Sequence, residues 1–178
     1  MRPAARLEAV TLQFQPDWLA RDLGADGRRR KVIEAMVAEG CYLSQFATGT
    51  SNGGLTAFPG GDRWRWESGL FAGRYDRGEA SDRPLYGAWN RRADPYGGAV
   101  RFGSSYVRLP PEALGHATFC FPDSVYEPVD LGDIALLPEL CRMADDSGFG
   151  DLDDYVEAHV HAPVRFDEDV EAVVLDPC

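Results

Sequence analysis

Residues 155–164 read YVEAHVHAPV, and how this stretch alternates decides the fold. A β-strand turns successive side chains to opposite faces. Val156, Ala158, Val160 and Ala162 then share an apolar face suited to a core, and Glu157, His159 and His161 share the other. One acid and two of the chain's three histidines project together opposite the core. The apolar segment that follows, DVEAVVLD at 169–176, is expected to return as the second strand of a hairpin around the acidic turn between them.

Other strands follow outward from this one. EAVTLQFQ (8–15) alternates and is closed by Pro16-Asp17, and AVRFGSSYVRL (99–109) alternates up to Pro110-Pro111. ATFCF (117–121) is a short apolar strand closed by Pro122-Asp123-Ser124. In RRRKVIEAMVAEG (28–40), Val32, Ile33, Met36 and Val37 predict one helical face, and Gly40 is placed to end the helix in the left-handed conformation. The chain then enters CYLSQFATG, whose start reads as a strand. From 49 to 98 periodicity is weak and Gly, Pro and Asn are dense, the mark of a long loop of the functional kind. Within it SDRPLYGAW (81–89) reads as a short helix or turn and DPYGG (94–98) as a turn. PEALG (111–115) predicts one helical turn, 133–143 a short helix, and SGFGDLDD (147–154) an acidic loop. The expected fold is α+β: a single domain over 1–178, dominated by antiparallel strands with a few short helices.

At 178 residues, 44% apolar and 26% charged, the composition is that of one globular domain. No apolar run approaches the roughly 18–20 residues of a membrane span. The start, MRPAARLEAVTLQF, has no apolar signal region. Four cysteines, at 41, 120, 141 and 178, have no metal-site or disulfide spacing, so reduced thiols and a cytoplasmic location are expected. The net charge of −11 is lopsided: residues 1–100 carry 14 cations and 12 anions, residues 101–178 carry 4 and 17. So acidic a surface disfavours general binding to nucleic acid or anionic membrane. A small anion could still be held in the neutral half, where Lys31 is the sole lysine and arginine supplies the planar fork that suits phosphate or carboxylate.

The second unusual stretch is SQFATGTSNGGLTAFPGGDRWRWE (44–67). Amides beside Gly49, Gly53 and Gly54 can approach a pyrophosphate because no Cβ intervenes. Gln45, Thr48, Ser51 and Asn52 offer neutral groups to an amide or a ribose. Trp64 and Trp66 can stack a flat ring, and Arg63 or Arg65 can pair with phosphate. The alternative is that the glycines serve turns and the tryptophans cap the core.

The face of Glu157, His159 and His161 admits three readings. It is a solvated or cross-strand-paired face, a nitrogen-and-oxygen metal site of a hydrolase, or a carboxylate facing a sugar cation with the histidines in support.

Taken together, "VTLQFQPD", "YLSQFATGTSNGGLTAFPGGDRWRWE", "FAGRYD", "RPLYGAWN", "RFGSSYVRL", "ATFCFPDSV" and "YVEAHVHAPVRFDEDVEAVVLDP" resemble a bacterial family catalogued as domain of unknown function 3626, in the same order over nearly the whole chain. Similar members continue past Asp176-Pro177, which implies a truncation at Cys178. The order of motifs also resembles that of ADP-ribosyltransferases. That resemblance implies a split antiparallel sheet and cleavage of NAD at the nicotinamide–ribose bond. It also implies no bound metal, and a toxin or effector role. The early NAD-positioning strand would be residues 42–48, the middle motif TFCFPDS with Ser124, and the late strand that of the catalytic Glu157, with His159 beside it and VEAVVLD closing. ADP-ribose would pass to an unknown acceptor, a protein or small molecule being favoured by the acidic charge. Members of the unknown-function family often carry Arg at the position of Leu43 and His at that of Gln15. If either positions NAD, then Arg63, Arg83 or Arg101 has to replace it. A non-catalytic nucleotide-binding module is the other outcome of those departures.

Overall fold

The computed structural model describes residues 8–24, 27–50 and 55–176. VTLQF forms β1 (Val10–Phe14), and the chain continues through β2 (Leu19–Leu23), β3 (Arg29–Lys31), α1 (Val32–Glu39), α2 (Gln45–Thr48) and α3 (Asp62–Leu70). Then come β4 (Leu85–Trp89), β5 (Ser105–Arg108), β6 (Ala117–Cys120), β7 (Leu131–Gly132), α4 (Leu137–Asp146), β8 (Val156–Val160) and β9 (Ala172–Val174). Seven strands make one sheet in the order β7-β6-β8-β4-β1-β5-β9, every neighbour antiparallel, and β2 pairs with β3 apart from it. This is the expected α+β domain of antiparallel strands and short helices.

Alternation sorts the side chains. Val10, Leu12 and Phe14 of β1, Leu85 of β4, Ala117 and Phe119 of β6, and Val156, Ala158 and Val160 of β8 enter one apolar core. Leu137, Leu140 and Ala144 of α4 close it from above, spaced three and four residues apart as one helical face requires. From α1 come Val32, Ala35 and Met36; Val37, expected on that face, is 69% exposed, because Ala35 lies closer to the line through Val32 and Met36. Gly40 ends α1 at φ 68°, the left-handed value expected of it.

Four expectations are corrected, the first being the long loop over 49–98, within which α3 forms at Asp62–Leu70. Residues 42–48 do not form a strand. Cys41 makes a single bridge to Arg165, after which the Ser44 hydroxyl accepts from Ala47 N and starts the short helix α2, ended by Gly49 in the left-handed conformation. Residues 85–89, read as a helix or turn, form a central strand bonded on both sides. The segment 169–176 does not return on β8: β9 pairs with β5 at the far edge of the sheet, because residues 40–42 bond to 164–166 and carry the chain across.

The other sheet face is polar and also covered. Cross-strand partners share a face, so Thr118, His159 and Tyr86 form one row and Cys120, Glu157, Ala88 and Thr11 the next. All five residues of β8 are consequently buried. The close approach of β1 to its neighbour β4 leaves no room beside Gly87, where a Cβ would overlap the Thr11 carbonyl and sit 2.6 Å from Leu12 Cδ2. Gly87→Ala is expected to cost about 1–3 kcal/mol, measured as a lower midpoint in urea unfolding.

Candidate functional site

The polar rows open at one end into a cavity of about 720 Å³. Glu157 stands at its floor, 4% exposed. Its Oε1 accepts from Ser124 N at 3.3 Å and meets His159 Nε2 at 2.8 Å. Burial is the largest influence on this carboxyl and pushes its pKa up. The His159 hydrogen bond and charge, the nearby Arg63 guanidinium and the Ser124 amide outweigh it, so the pKa lies below the ordinary value. The result is an ionised carboxylate held rigidly at the foot of a pocket.

Helix α3 covers the polar rows with its own polar face. Arg63 and Glu67, one turn apart, are its most buried residues. Arg83 pairs through Nη1 with Glu67 Oε1, the Tyr86 hydroxyl donates to Glu67 Oε2 at 3.1 Å, and Phe46 lies under the Arg83 guanidinium at 4.1 Å. Burial raises the Glu67 pKa, with Arg83, Arg63 and Tyr86 pulling it back. Burial also raises the Tyr86 hydroxyl, chiefly, with the Glu67 and Glu157 carboxylates adding to it.

Arg63 differs from Arg83. Its Cζ rests 3.6 Å from the Tyr86 ring centre, a cation–π contact, yet its buried Nε and Nη2 have no hydrogen-bond partner among the described residues. Gln45 Oε1 is likewise buried and unpartnered. Both residues line the cavity. Buried donors and acceptors are ordinarily satisfied, so these atoms stand out on two residues of the cavity wall, as Trp64 Nε1 and Arg108 Nε do elsewhere.

Two lining features escaped the sequence reading. Tyr86 sat in a segment not read as a strand. Asp123, 8% exposed, accepts from Tyr155 Oη and from Val125 N at 2.9 Å. Burial and the Glu157 charge push its pKa up to about 6. The signal available was its place in the FPDS turn beside Ser124.

Of the residues expected in the site, Gln45, Thr48, Arg63, Trp66 and Glu157 line the one cavity. Ser51, Asn52 and Gly53 lie outside the described residues, as does Gly54. Ser124 is buried and holds Glu157 instead of facing the cavity. Gly49 spends its N–H on Gln45 O at 2.8 Å, and the Arg21 guanidinium fills the space where its side chain would be. Trp64 turns away with its Nε1 buried and unpartnered, and Arg65 pairs with Asp62. His159 is fully buried beneath Glu157. Leu43 and Gln15, the positions of departure, both line the cavity. Of their three possible substitutes, Arg101 faces the cavity but pairs with Asp153, and Arg83 is committed to Glu67. Of these three, Arg63 alone lines the cavity and keeps side-chain donors without a partner among the described residues.

The acidic run is answered by arginines. Asp145 pairs with Arg91, Asp146 with Arg142, Asp153 with Arg101, and Asp154 with both Arg91 and Arg92. Cys41, Cys120 and Cys141 are free thiols. The metal reading named Glu157, His159 and His161, but His161 is bonded at both nitrogens, to Tyr75 at 2.7 Å and Thr118 at 2.8 Å. Among the described residues the group with donor atoms within 4.8 Å of one another is Cys120, Glu157 and His159. A cation there has to displace the proton shared by His159 and Glu157 and strip a thiol whose pKa is raised by burial and by the Glu157 and Asp123 charges.

No helix among the described residues is long and apolar enough to cross a membrane. Residues 9–141 match the model of a family described as protein of unknown function (DUF3626). No curated protein matches the chain.

Proposed function

We propose, starting from the fact that the chain belongs to the DUF3626 family of proteins of unknown function, that it binds NAD in the cavity and cleaves the nicotinamide–ribose bond, passing ADP-ribose to a protein or small-molecule acceptor. The observation that carries the reading is one cavity shared by a buried, ionised Glu157 and the unpartnered Arg63. Its volume falls within the roughly 300–1,000 Å³ of small-molecule pockets.

The chemistry asks for these groups. When the bond from ribose C1′ to the nicotinamide nitrogen breaks, its electron pair leaves with the ring and a ribosyl oxocarbenium remains. A fixed carboxylate below that cation stabilises charge where it develops, in a site with little water to screen it. Arg63 supplies a guanidinium fork for the pyrophosphate, and Gln45 accepts from a carboxamide or a ribose hydroxyl. The acceptor adds at C1′ and gives up a proton, which Asp123, one of the carboxylates on the cavity wall, can take.

Nicotinamide release from NAD tests the reading directly. Release by wild type is expected, together with a rise in melting temperature when NAD is added. Neither release nor a shift, with NAD or ADP-ribose, refutes it. Arg63→Ala is expected to weaken NAD binding by about 10- to 100-fold, read by titration calorimetry. Arg63→Lys, which keeps the charge and loses the fork, should fall between the two.

A further inference from the structure

Four hydrogen bonds run in series away from Glu157. Its Oε1 meets His159 Nε2 at 2.8 Å; His159 Nδ1 meets Thr118 Oγ1 at 3.2 Å. The same Thr118 oxygen meets His161 Nε2 at 2.8 Å, and His161 Nδ1 meets the Tyr75 hydroxyl at 2.7 Å. The series passes from β8 to β6, back to the residue that follows β8, and ends on the segment after α3. Phe71 stands edge-on to both imidazoles at 5.2 Å, and Tyr86 edge-on to His159 at 5.1 Å, so neither ring is free to tumble.

Thr118 sets the logic. Its hydroxyl has one proton and lies between two ring nitrogens, so it donates to one ring and accepts from the other. An ionised Glu157 needs a proton on His159 Nε2. With His161 neutral, two arrangements then satisfy every contact. With His159 neutral, Thr118 donates to its Nδ1, His161 donates from Nε2 to Thr118, and Tyr75 donates to His161 Nδ1. With His159 charged, its Nδ1 donates to Thr118, Thr118 donates to His161 Nε2, and His161 donates from Nδ1 to Tyr75. The proton on His161 changes nitrogen between the two.

We propose that Thr118, His161 and Tyr75 are positioning residues that couple the proton positions of the two histidines and hold His159, and through it the Glu157 carboxylate, aimed into the cavity. Their effect on turnover rests on the reading of Glu157 given above; the coupling itself does not. His161 suits the part because burial, with the His159 and Arg74 charges, brings its pKa down to about 4 and keeps it neutral. The titratable groups that face His159 are Glu157 and His161 on its own strand, Cys120 from β6 and Tyr86 from β4, with Arg63 of α3 on the other side of the Tyr86 ring.

Long-range proton–nitrogen correlation spectra of ¹⁵N-labelled protein report which nitrogen of each histidine carries a proton, with His116→Gln removing the third ring's signals. One of the two paired states is expected, and the His161 proton should change nitrogen as His159 gains or loses its charge. A neutral His159 protonated on Nδ1, or a His161 indifferent to His159, overturns the coupling. Thr118→Val should uncouple the rings and lower kcat for NAD cleavage about tenfold with KM nearly unchanged, while Thr118→Ser keeps both close to wild type. Equal losses in the Val and Ser variants mean a structural role only and overturn the proposal. Should Thr118→Val unfold, Tyr75→Phe removes the last donor instead, and an unchanged kcat there overturns its role. The spectra need no turnover. A protein that releases no nicotinamide thus refutes the reading of Glu157, while the spectra still decide the coupling.

Discussion

Glu157→Gln is expected to lower nicotinamide release from NAD by roughly a hundred- to a thousandfold. The amide keeps the size of the side chain, and its oxygen can still accept from Ser124 N and His159 Nε2, so the negative charge is removed and Oε2 becomes an NH2 group while both of these bonds are kept. A loss confined to kcat, with KM little changed, identifies an interaction made with the developing cation and not with ground-state NAD. Release followed by chromatography at saturating NAD measures it, and equal rates in variant and wild type refute the assignment. The substitution has a second signature. The folded carboxyl titrates below its ordinary value. Its contribution to stability is therefore present above the unfolded pKa and fades as pH falls through the folded one. Glu157→Gln removes that contribution and flattens the acid limb of the stability curve.

Arg83→Ala is expected to destabilise the fold by about 3–5 kcal/mol. Arg83 and Glu67 are both almost inaccessible to solvent, with side chains 4% and 0% exposed. Removing the cation leaves Glu67 buried against the polar sheet face with the Tyr86 hydroxyl and the more distant Arg63 charge. Neither replaces a guanidinium in contact. Urea unfolding measures the loss. The double variant Arg83→Met, Glu67→Gln should recover a large part of it, because replacing both members of a buried pair avoids the stranded charge. A single variant within about 1 kcal/mol of wild type means that α3 is not anchored to the sheet through this pair.

The site depends on that anchor, since α3 carries Arg63 into the cavity, and the anchor explains what the sequence concealed. Periodicity finds a helix by its apolar stripe. In DRWRWESGL the residues that face the sheet are Arg63 and Glu67, and the tryptophans lie to the sides. The sheet face beneath is itself polar, built from Thr118, Tyr86, Glu157 and His159, so a helix matched to it carries the inverse of the usual pattern. Pro84 just before β4 and Gly87 within it break the composition of a strand, although Leu85 and Ala88 are buried as a strand's two faces require. Of the strands whose apolar face meets the main core, β1 and β8 were legible from alternation and β6 from a short apolar run closed by Pro122-Asp123-Ser124, while Gly40 marked the end of α1.

Alternation also located Glu157 opposite the core, with both histidines on its face. The sequence by itself therefore determined which strand carries the acid and which way it points, because side-chain direction along a strand is a local property of two-residue period. Only the tertiary structure decided what the acid meets. β9 bonds to β5 and not to β8, His161 turns to Tyr75 while His159 holds the carboxylate, and Arg63 rather than Arg83 or Arg101 is left with unpartnered donors in the cavity. The β9–β5 pairing and the His161–Tyr75 bond join segments distant in the chain, and which partner each group finds is settled by which buried charges and hydrogen bonds can be satisfied together. That balance belongs to the packed molecule and to no single stretch of it.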